Sequence, residues 1–315
     1  MKIVYVTGCL GFIGSYVTRK CLERGWMVYG VDKCTYVSNL SFLEEFKAFS
    51  NFRFEKTDIK DMKHLYDCDY VINTAAESHV GNSIIDSQTF IDSNVVGVKN
   101  LLDLIRLKPT NISRKPIFFH FSTDEVYGDI ESGEHFETDV LCPSNPYSAA
   151  KAAADMLILA WSRTYNVEYL ILRPTNNYGI GQYPEKLIPL SVKQLTRGKK
   201  IRLHNNGSPV RSWLHANDTA RAVMKIVDSG NVNEIYNVAS AFEQTNAETV
   251  RKIVSIYHNT NDWKQFVDFS YSRQGQDVRY ALNDNKLRSL GWEPKRIFDE
   301  EIPSIVEHYK TNFIW

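Results

Sequence analysis

K-I-V-Y-V-T-G-C-L-G-F-I-G-S, residues 2–15, decides the fold. Residues 2–7 are an apolar run of strand length, rich in the β-branched and aromatic types that fill a buried strand. The run passes directly into Gly8, Gly11 and Gly14, and residues 13–25 then read as a helix that ends at Gly25. Strand, glycine turn and helix in that order build a phosphate cradle. Backbone without Cβ atoms can approach closely, and free N–H groups at the positive helix end face the anion. Phe12 and Ile13 fall inside the same turn. A glycine triplet alone is weak evidence, because ordinary turns carry one too. Asp32 strengthens this one. It lies 18 residues after Gly14 and closes a second strand, Met27 to Val31. A carboxylate there accepts hydrogen bonds from adenosine ribose hydroxyls and repels a 2′-phosphate. The expected cofactor is therefore NAD rather than NADP. Lys33 stands next to it and could tolerate the extra phosphate; Asp32 as a simple strand-end cap is the bland alternative.

Outward from this unit the pattern alternates. Tyr70 to Asn73 is a short apolar run, 89–107 has helical periodicity, and Ile117 to Ser122 (I-F-F-H-F-S) reads as a strand. A helix over 147–165 and a strand over 167–172, ended by Arg173-Pro174, follow. Alternating strands and helices predict an α/β, Rossmann-type doubly wound parallel sheet. After residue 176 the sequence is punctuated by Gly179, Gly181, Pro184 and Pro189, which predicts a smaller C-terminal substrate-binding lobe. The helix after Asn217-Asp218 and a strand at 234–239 are expected back on the sheet. The resulting division places the cofactor domain at 1–175, with 212–240 returning to it. The lobe is then mainly 176–211 and 241–315.

Bulk properties exclude several classes. The 315 residues are 43% hydrophobic and 23% charged, as in an ordinary soluble enzyme. Lys plus Arg and Asp plus Glu both number 37, so no basic excess marks a nucleic-acid surface. The five cysteines (Cys9, Cys21, Cys34, Cys68, Cys142) are odd in number and form no C-x-x-C pair. Neither a disulfide framework nor a metal site is expected, and the reading is a reduced, cytoplasmic protein. M-K-I-V-Y-V-T-G lacks the apolar length of a signal peptide, and no stretch approaches the roughly 18 apolar residues of a membrane span.

Two further motifs carry chemistry. Tyr147 and Lys151 form Y-x-x-x-K, which puts both side chains on one face of a helix. A lysine charge near the phenol is expected to lower its pKa, making the tyrosine a base toward a substrate hydroxyl that loses hydride. Alone, this spacing is common and marks a surface pair. Here it starts a helix 23 residues after Asp124, in the S-T-D-E that follows the I-F-F-H-F strand. Ligands of open parallel sheets bind at strand carboxyl ends, and Asp124-Glu125 sits at one. A solvent-facing loop is the alternative for this pair.

Taken together the motifs resemble the nucleotide-sugar 4,6-dehydratases of the extended short-chain dehydrogenase type, specifically the dTDP-glucose 4,6-dehydratase group, over essentially the whole chain. The carriers are T-G-C-L-G-F-I-G-S at 7–15, V-D-K at 31–33, A-A-E-S-H-V at 75–80, S-T-D-E-V-Y-G-D at 122–129 and P-Y-S-A-A-K at 146–151. They continue with N-N-Y-G at 176–179, P-E-K-L-I-P at 184–189, R-S-W-L-H at 211–215 and R-Q-G-Q-D-V-R-Y at 273–280. The resemblance implies roles. Tyr147 with Lys151 takes the proton of the sugar 4-hydroxyl, Glu125 removes the C5 proton, Asp124 protonates the departing 6-hydroxyl, and Thr123 bonds near O4. Asp58 would meet adenine, with Ile59 and Ala75 beside the cofactor. Ser78, His79, Asn177, Lys186, Leu187, His204, Arg211, Asn246, Arg273 and Gln276 would hold the nucleotide sugar, with arginine suited to a diphosphate.

The chain departs from the family pattern at several points. Gly81 and Asn82 replace an acid and an arginine beside the sugar, Gln276 replaces a histidine, His204 a tyrosine, and Cys9 and Leu10 replace smaller residues. A roomier pocket would admit a 2-acetamido sugar, so UDP-N-acetylglucosamine stands beside dTDP- or UDP-glucose as a substrate, with C5 epimerisation open. A nucleotide-sugar 4-epimerase or decarboxylase has no use for Asp124-Glu125, and a non-enzymatic NAD sensor has none for Tyr147 and Lys151. The resemblance also implies a homodimer paired through the helices at 89–107 and 147–165. Leu101, Leu102, Ile105, Met156, Leu157 and Leu159 would supply its apolar surface; simple packing on the sheet is the alternative, and some of them must do that.

Overall fold

The computed structural model describes residues 1–109, 115–272 and 277–312. The first strand, β1 (Ile3–Thr7), lies inside a seven-stranded sheet, between β2 (Met27–Asp32) and β4 (Tyr70–Asn73), which is the central strand. On one side β3 (Phe52–Lys56) closes the edge; on the other follow β5 (Ile117–Phe121), β6 (Tyr169–Pro174) and β10 (Glu234–Val238). All six pairings are parallel. Strand order reverses between β1 and β4, and a crevice opens at such a reversal.

Helices cover both faces. On one, α1 (Phe12–Glu23) packs against α8 (Ala216–Ser229), over a core of Val4, Val6, Val17, Val28 and Ile72. On the other, α5 (Gly97–Arg106) and α6 (Pro146–Tyr165) cover Tyr5, Val71, Phe118 and Ile171. A parallel sheet buried on both faces reads as continuous apolar runs rather than alternation, and β4, β5 and β6 are buried at every position. The start of α6 is fixed locally. The Asn145 side chain accepts from Ser148 N at 2.9 Å, Ser148 Oγ accepts from Asn145 N at 3.2 Å, and Pro146 opens the helix.

The periodicity at 89–107 resolves into three pieces: α4 (Ser87–Ile91), a π-helical turn (Asp92–Val96) and α5. Leu101, Leu102 and Ile105, expected on an intersubunit face, are instead fully buried beneath the sheet. Leu157 and Leu159 lean on the same core, and only Met156 of that set is exposed, at 48%. The strand β3 and the helix α2 (Leu40–Lys47) had no counterpart in the sequence reading. The lobe has its own sheet, in the order β11 (Glu243–Thr245), β9 (Val210–His215) and β7 (Asn176–Tyr178). Residues 212–215, expected with the large sheet, belong to this smaller one. The return is made by α8 and β10. The lobe core, from Ile188 to Tyr309, joins α7 (Leu187–Thr196), α9 (Asn246–His258) and α11 (Phe298–Tyr309).

Candidate active site

A cleft runs along the carboxyl ends of the strands, between sheet and lobe. Its main chamber is lined by Gly8, Gly11, Phe12, Ile13 and Gly14, by Thr123, Asp124, Glu125, Tyr147 and Lys151, and by Ser78, Asn177 and Lys186 from opposite walls. An adjoining chamber is lined by Asp32, Lys33, Asp58, Ile59 and Ala75.

The glycine turn is shaped for close approach. A Cβ on Gly14 would lie 2.0 Å from the Gly8 carbonyl oxygen, and one on Gly8, at φ +71°, 2.7 Å from Ala75 N. Gly11 caps α1 with no side-chain hydrogen bond, which leaves the helix N–H groups for a ligand. Asp32 is held by its own loop: it accepts from Leu10 N at 3.1 Å, Cys34 N at 2.8 Å and Ser38 Oγ at 2.8 Å. Lys33 is tied to Glu77 at 3.1 Å, with Asp58 at 3.9 Å. Among the described residues the lining of this chamber holds three carboxylates, Asp32, Asp58 and Glu77, against Lys33 alone, and a 2′-phosphate would face net negative charge. These residues fit a dinucleotide with a free ribose.

The other end of the cleft is built differently. Asp124 is 3% exposed; its Oδ1 accepts from Thr123 Oγ at 3.0 Å and its Oδ2 has no hydrogen-bond partner among the described residues. Burial, then the neighbouring Glu125 charge, pushes its pKa up to about 7. Burial also raises Glu125, but Asn145 Nδ2 donates to it at 3.3 Å and the Arg211 and Lys186 charges oppose the rise. Two adjacent carboxyls therefore have different surroundings, as paired acid and base require.

Tyr147 and Lys151 share the cleft, yet the lysine does not lower the phenol. Burial, and then the charges of Glu125 and Asp124, raise the Tyr147 pKa, with a Thr123 hydrogen bond opposing. Lys151 turns toward β5, donating to the Phe121 carbonyl and meeting His120 Nε2 at 3.2 Å. It is 2% exposed, and burial pulls it down to about 8 against the raising charge of Asp155. Asp155 is itself paired with buried Arg173 at 3.0 Å and accepts from Ser122 Oγ at 2.9 Å. Ser122, Asp155, Arg173 and His120 were not singled out from the sequence. The one signal was a histidine inside an otherwise apolar strand.

The remaining expected residues divide. Lys186 Nζ donates to the Ser78 carbonyl at 2.8 Å, bridging lobe and sheet. His79 caps α3 (Val80–Ile85), accepting from Asn82 N at 3.1 Å. Asn177 is engaged internally, donating to Thr175 O at 2.9 Å and accepting from Thr219 Oγ at 2.6 Å. Arg211 spends its guanidinium on the carbonyls of Val210 and Asp277, at 2.7 and 3.1 Å. Leu187, Arg211, the exposed His204 and Asn246, the first residue of α9, do not line the main chamber. Nor do Gly81 and Asn82; Asn82 donates to Tyr36 OH at 3.2 Å on the rim. Arg273 and Gln276 lie outside the described residues.

The reversed strand order, the glycine cradle and the Tyr147–Lys151 pair at the cleft define an extended short-chain dehydrogenase/reductase fold. The chain belongs to the GDP-mannose 4,6 dehydratase family, whose model matches residues 5–305. It is 38% identical over 311 residues to the low-salt glycan biosynthesis protein Agl12 of Haloferax volcanii, covering 97% of this chain and 98% of that one. It is 37% identical over 337 residues to a dTDP-glucose 4,6-dehydratase of Neisseria meningitidis, covering 100% and 95%. The crystal structure of the Streptomyces venezuelae dTDP-glucose 4,6-dehydratase DesIV with NAD and TYD bound superposes with a TM-score of 0.92 at 35% identity, covering 98% of this chain and 97% of that one.

Proposed function

We propose that the chain is an NAD-dependent nucleoside-diphosphate-hexose 4,6-dehydratase that acts on dTDP-glucose. The observation that carries this is the Asp124–Glu125 pair, buried at the end of β5 with different electrostatic surroundings and beside Tyr147. NAD supplies a hydride acceptor for C4 and a hydride donor for C6, and would be held by the glycine turn, Asp32 and Asp58. Tyr147, whose ionisation burial opposes and the positive charge of bound NAD would favour, takes the proton of the 4-hydroxyl as phenolate while Thr123 bonds near O4. The 4-ketone acidifies C5–H, which Glu125 removes. Asp124, held protonated near neutrality by its burial, gives its proton to the departing 6-hydroxyl, which leaves as water. A proton then returns to C5.

The lobe takes the nucleotide, through Lys186 on the chamber wall and, beyond the chamber, Arg211 and Asn246. Gly81 and Asn82 do not line the chamber, so their lack of bulk opens no room in it for a 2-acetamido group, and glucose is the sugar favoured. A homodimer is supported by exposed Ile91, Val96 and Met156 on the mutually packed α4, π-turn and α6. Among the described residues no helix is long and apolar enough to cross a membrane. The cysteines, all free, support a cytoplasmic setting.

The test is to incubate the purified protein separately with dTDP-glucose, UDP-glucose and UDP-N-acetylglucosamine and follow mass. Loss of one water from dTDP-glucose is expected. Loss only from another donor reassigns the substrate, and loss from none overturns the dehydratase reading.

A further inference from the structure

Three polar side chains cross the apolar sheet in one row. Thr7, Asn73 and His120 end or nearly end β1, β4 and β5; Thr7 is in register with Asn73, and Asn73 with His120. All three are buried. Thr7 Oγ donates to Asn73 Oδ1 at 2.6 Å, Asn73 Nδ2 meets His120 Nδ1 at 3.1 Å, and His120 Nε2 meets Lys151 Nζ at 3.2 Å. The row thus starts beside Gly8 and ends on the catalytic lysine. Burying such groups unpaired forfeits their bonds to water with nothing in return, so each must be satisfied whatever the charge of Lys151.

Only two arrangements do that with a neutral ring. In the one drawn here Asn73 donates to Nδ1, so the ring proton is on Nε2 and points at a Lys151 amine that accepts it. With Lys151 as ammonium every bond reverses. The lysine donates to Nε2, Nδ1–H donates to Asn73 Oδ1 after the amide turns over, and Asn73 Nδ2 donates to Thr7 Oγ, which can accept as well as donate. We propose that His120 is a positioning residue whose ring, keyed through Asn73 to Thr7, changes tautomer as Lys151 changes charge. One proton leaves Lys151 for the cleft; the ring keeps its single proton, moved from Nδ1 to Nε2. Burial and the lysine charge hold the ring itself well below its ordinary pKa, so it stays neutral throughout. The other groups around Lys151 are Asp155, ion-paired to Arg173, and across the cleft Tyr147, Asp124 and Glu125. None of these contacts His120 in the row.

The inference rests on Lys151 as part of the proposed site, but its test reads nuclei and not turnover, so a chain without dehydratase activity could still pass it. The full chain is labelled with [15N]histidine and [13Cε]lysine and titrated from pH 6 to 10, with His120 and Lys151 assigned by His120→Gln and Lys151→Arg. The expected result is a tautomer change at His120, at constant ring charge, with the midpoint of the Lys151 titration. A ring that keeps one tautomer across that midpoint overturns the proposal. In His120→Phe the ammonium loses a charge-assisted bond and meets a positive ring edge. Its proton affinity is expected to fall about tenfold, while His120→Gln, which both accepts and donates, retains it. An unchanged Lys151 midpoint in His120→Phe overturns the proposal. If that variant does not fold, Asn73→Leu decides in the same way, since it leaves the ring and removes its key.

Discussion

The two ends of the cleft are made from different materials. The dinucleotide end is backbone: glycines without Cβ atoms, an uncapped helix start, and a carboxylate fastened by its own loop. The end proposed to be catalytic is side chain: buried carboxyls, a phenol and an amine, several displaced from their ordinary pKa. Backbone sites fail by steric collision and fail in binding. Side-chain sites fail by changes in charge and fail in rate. The two should therefore separate cleanly under mutation.

The largest separation is expected at Tyr147. Tyr147→Phe removes the base and should lower kcat by about 10²–10⁴, while cofactor content, read from absorbance of the denatured supernatant, stays at the parent level. Lost cofactor with unchanged kcat per occupied site would reverse the contrast. Gly14→Ala should do the opposite, because its methyl meets a backbone oxygen 2.0 Å away. We expect at least a tenfold loss of NAD affinity by calorimetry, with residual turnover restored by excess NAD. Normal affinity would show that the turn yields.

Asp124 sharpens the comparison through pH. Its pKa is raised from 3.8 to about 7 in the folded chain, so the folded state binds this proton more tightly. Stability tied to it is present at low pH and is lost as pH rises from about 4 through about 7. Asp124→Asn should thus gain on the parent between pH 5 and pH 8, by on the order of 2 kcal/mol. Denaturant midpoints that track each other across that range would contradict the assignment. In the parent, kcat/KM should decline above pH 7 as the acid loses its proton. Smallest is Asn145→Ala, which removes both the cap of α6 and a donor to Glu125. About 1 kcal/mol of stability should go, with a few-fold loss in kcat; an unaltered melting temperature would show that the cap is dispensable.

The same contrast explains what the sequence disclosed. The cradle lies in contiguous residues, 8–14, so spacing alone reveals it. Asp124-Glu125 and Tyr147/Lys151 are also short motifs, and all four line one chamber. Their electrostatics were not legible. Helical spacing put Lys151 one turn from Tyr147, but the lysine bends toward Phe121 and His120, and burial governs the phenol. Thr7, Asn73 and His120 come from three separate segments and meet only through sheet register. The edge strand β3, exposed or half-exposed at four of its five positions, lacks the apolar run that betrayed β4 and β5. Leu101, Leu102 and Ile105 were misplaced because a periodic apolar stripe does not say which neighbour it meets.

The π-helical turn at Asp92–Val96 has one more consequence. A wide turn of this kind holds one residue more than the regular helix. Here it sets Asn94 inward, where its amide donates to Glu77 O and accepts from Glu77 N, both at 2.9 Å. Because the extra residue is already absorbed by the widened turn, deleting one residue between 92 and 96 would let that turn close to regular helix. Leu101, Leu102 and Ile105 would keep their place under the sheet, and what would be lost is the widened turn that carries Asn94 to Glu77. At this place the helix can spare a residue of length, but it cannot spare the Asn94 side chain that the surplus length seats on Glu77: a frame-preserving loss of a single codon is negotiable, whereas loss of that amide is not.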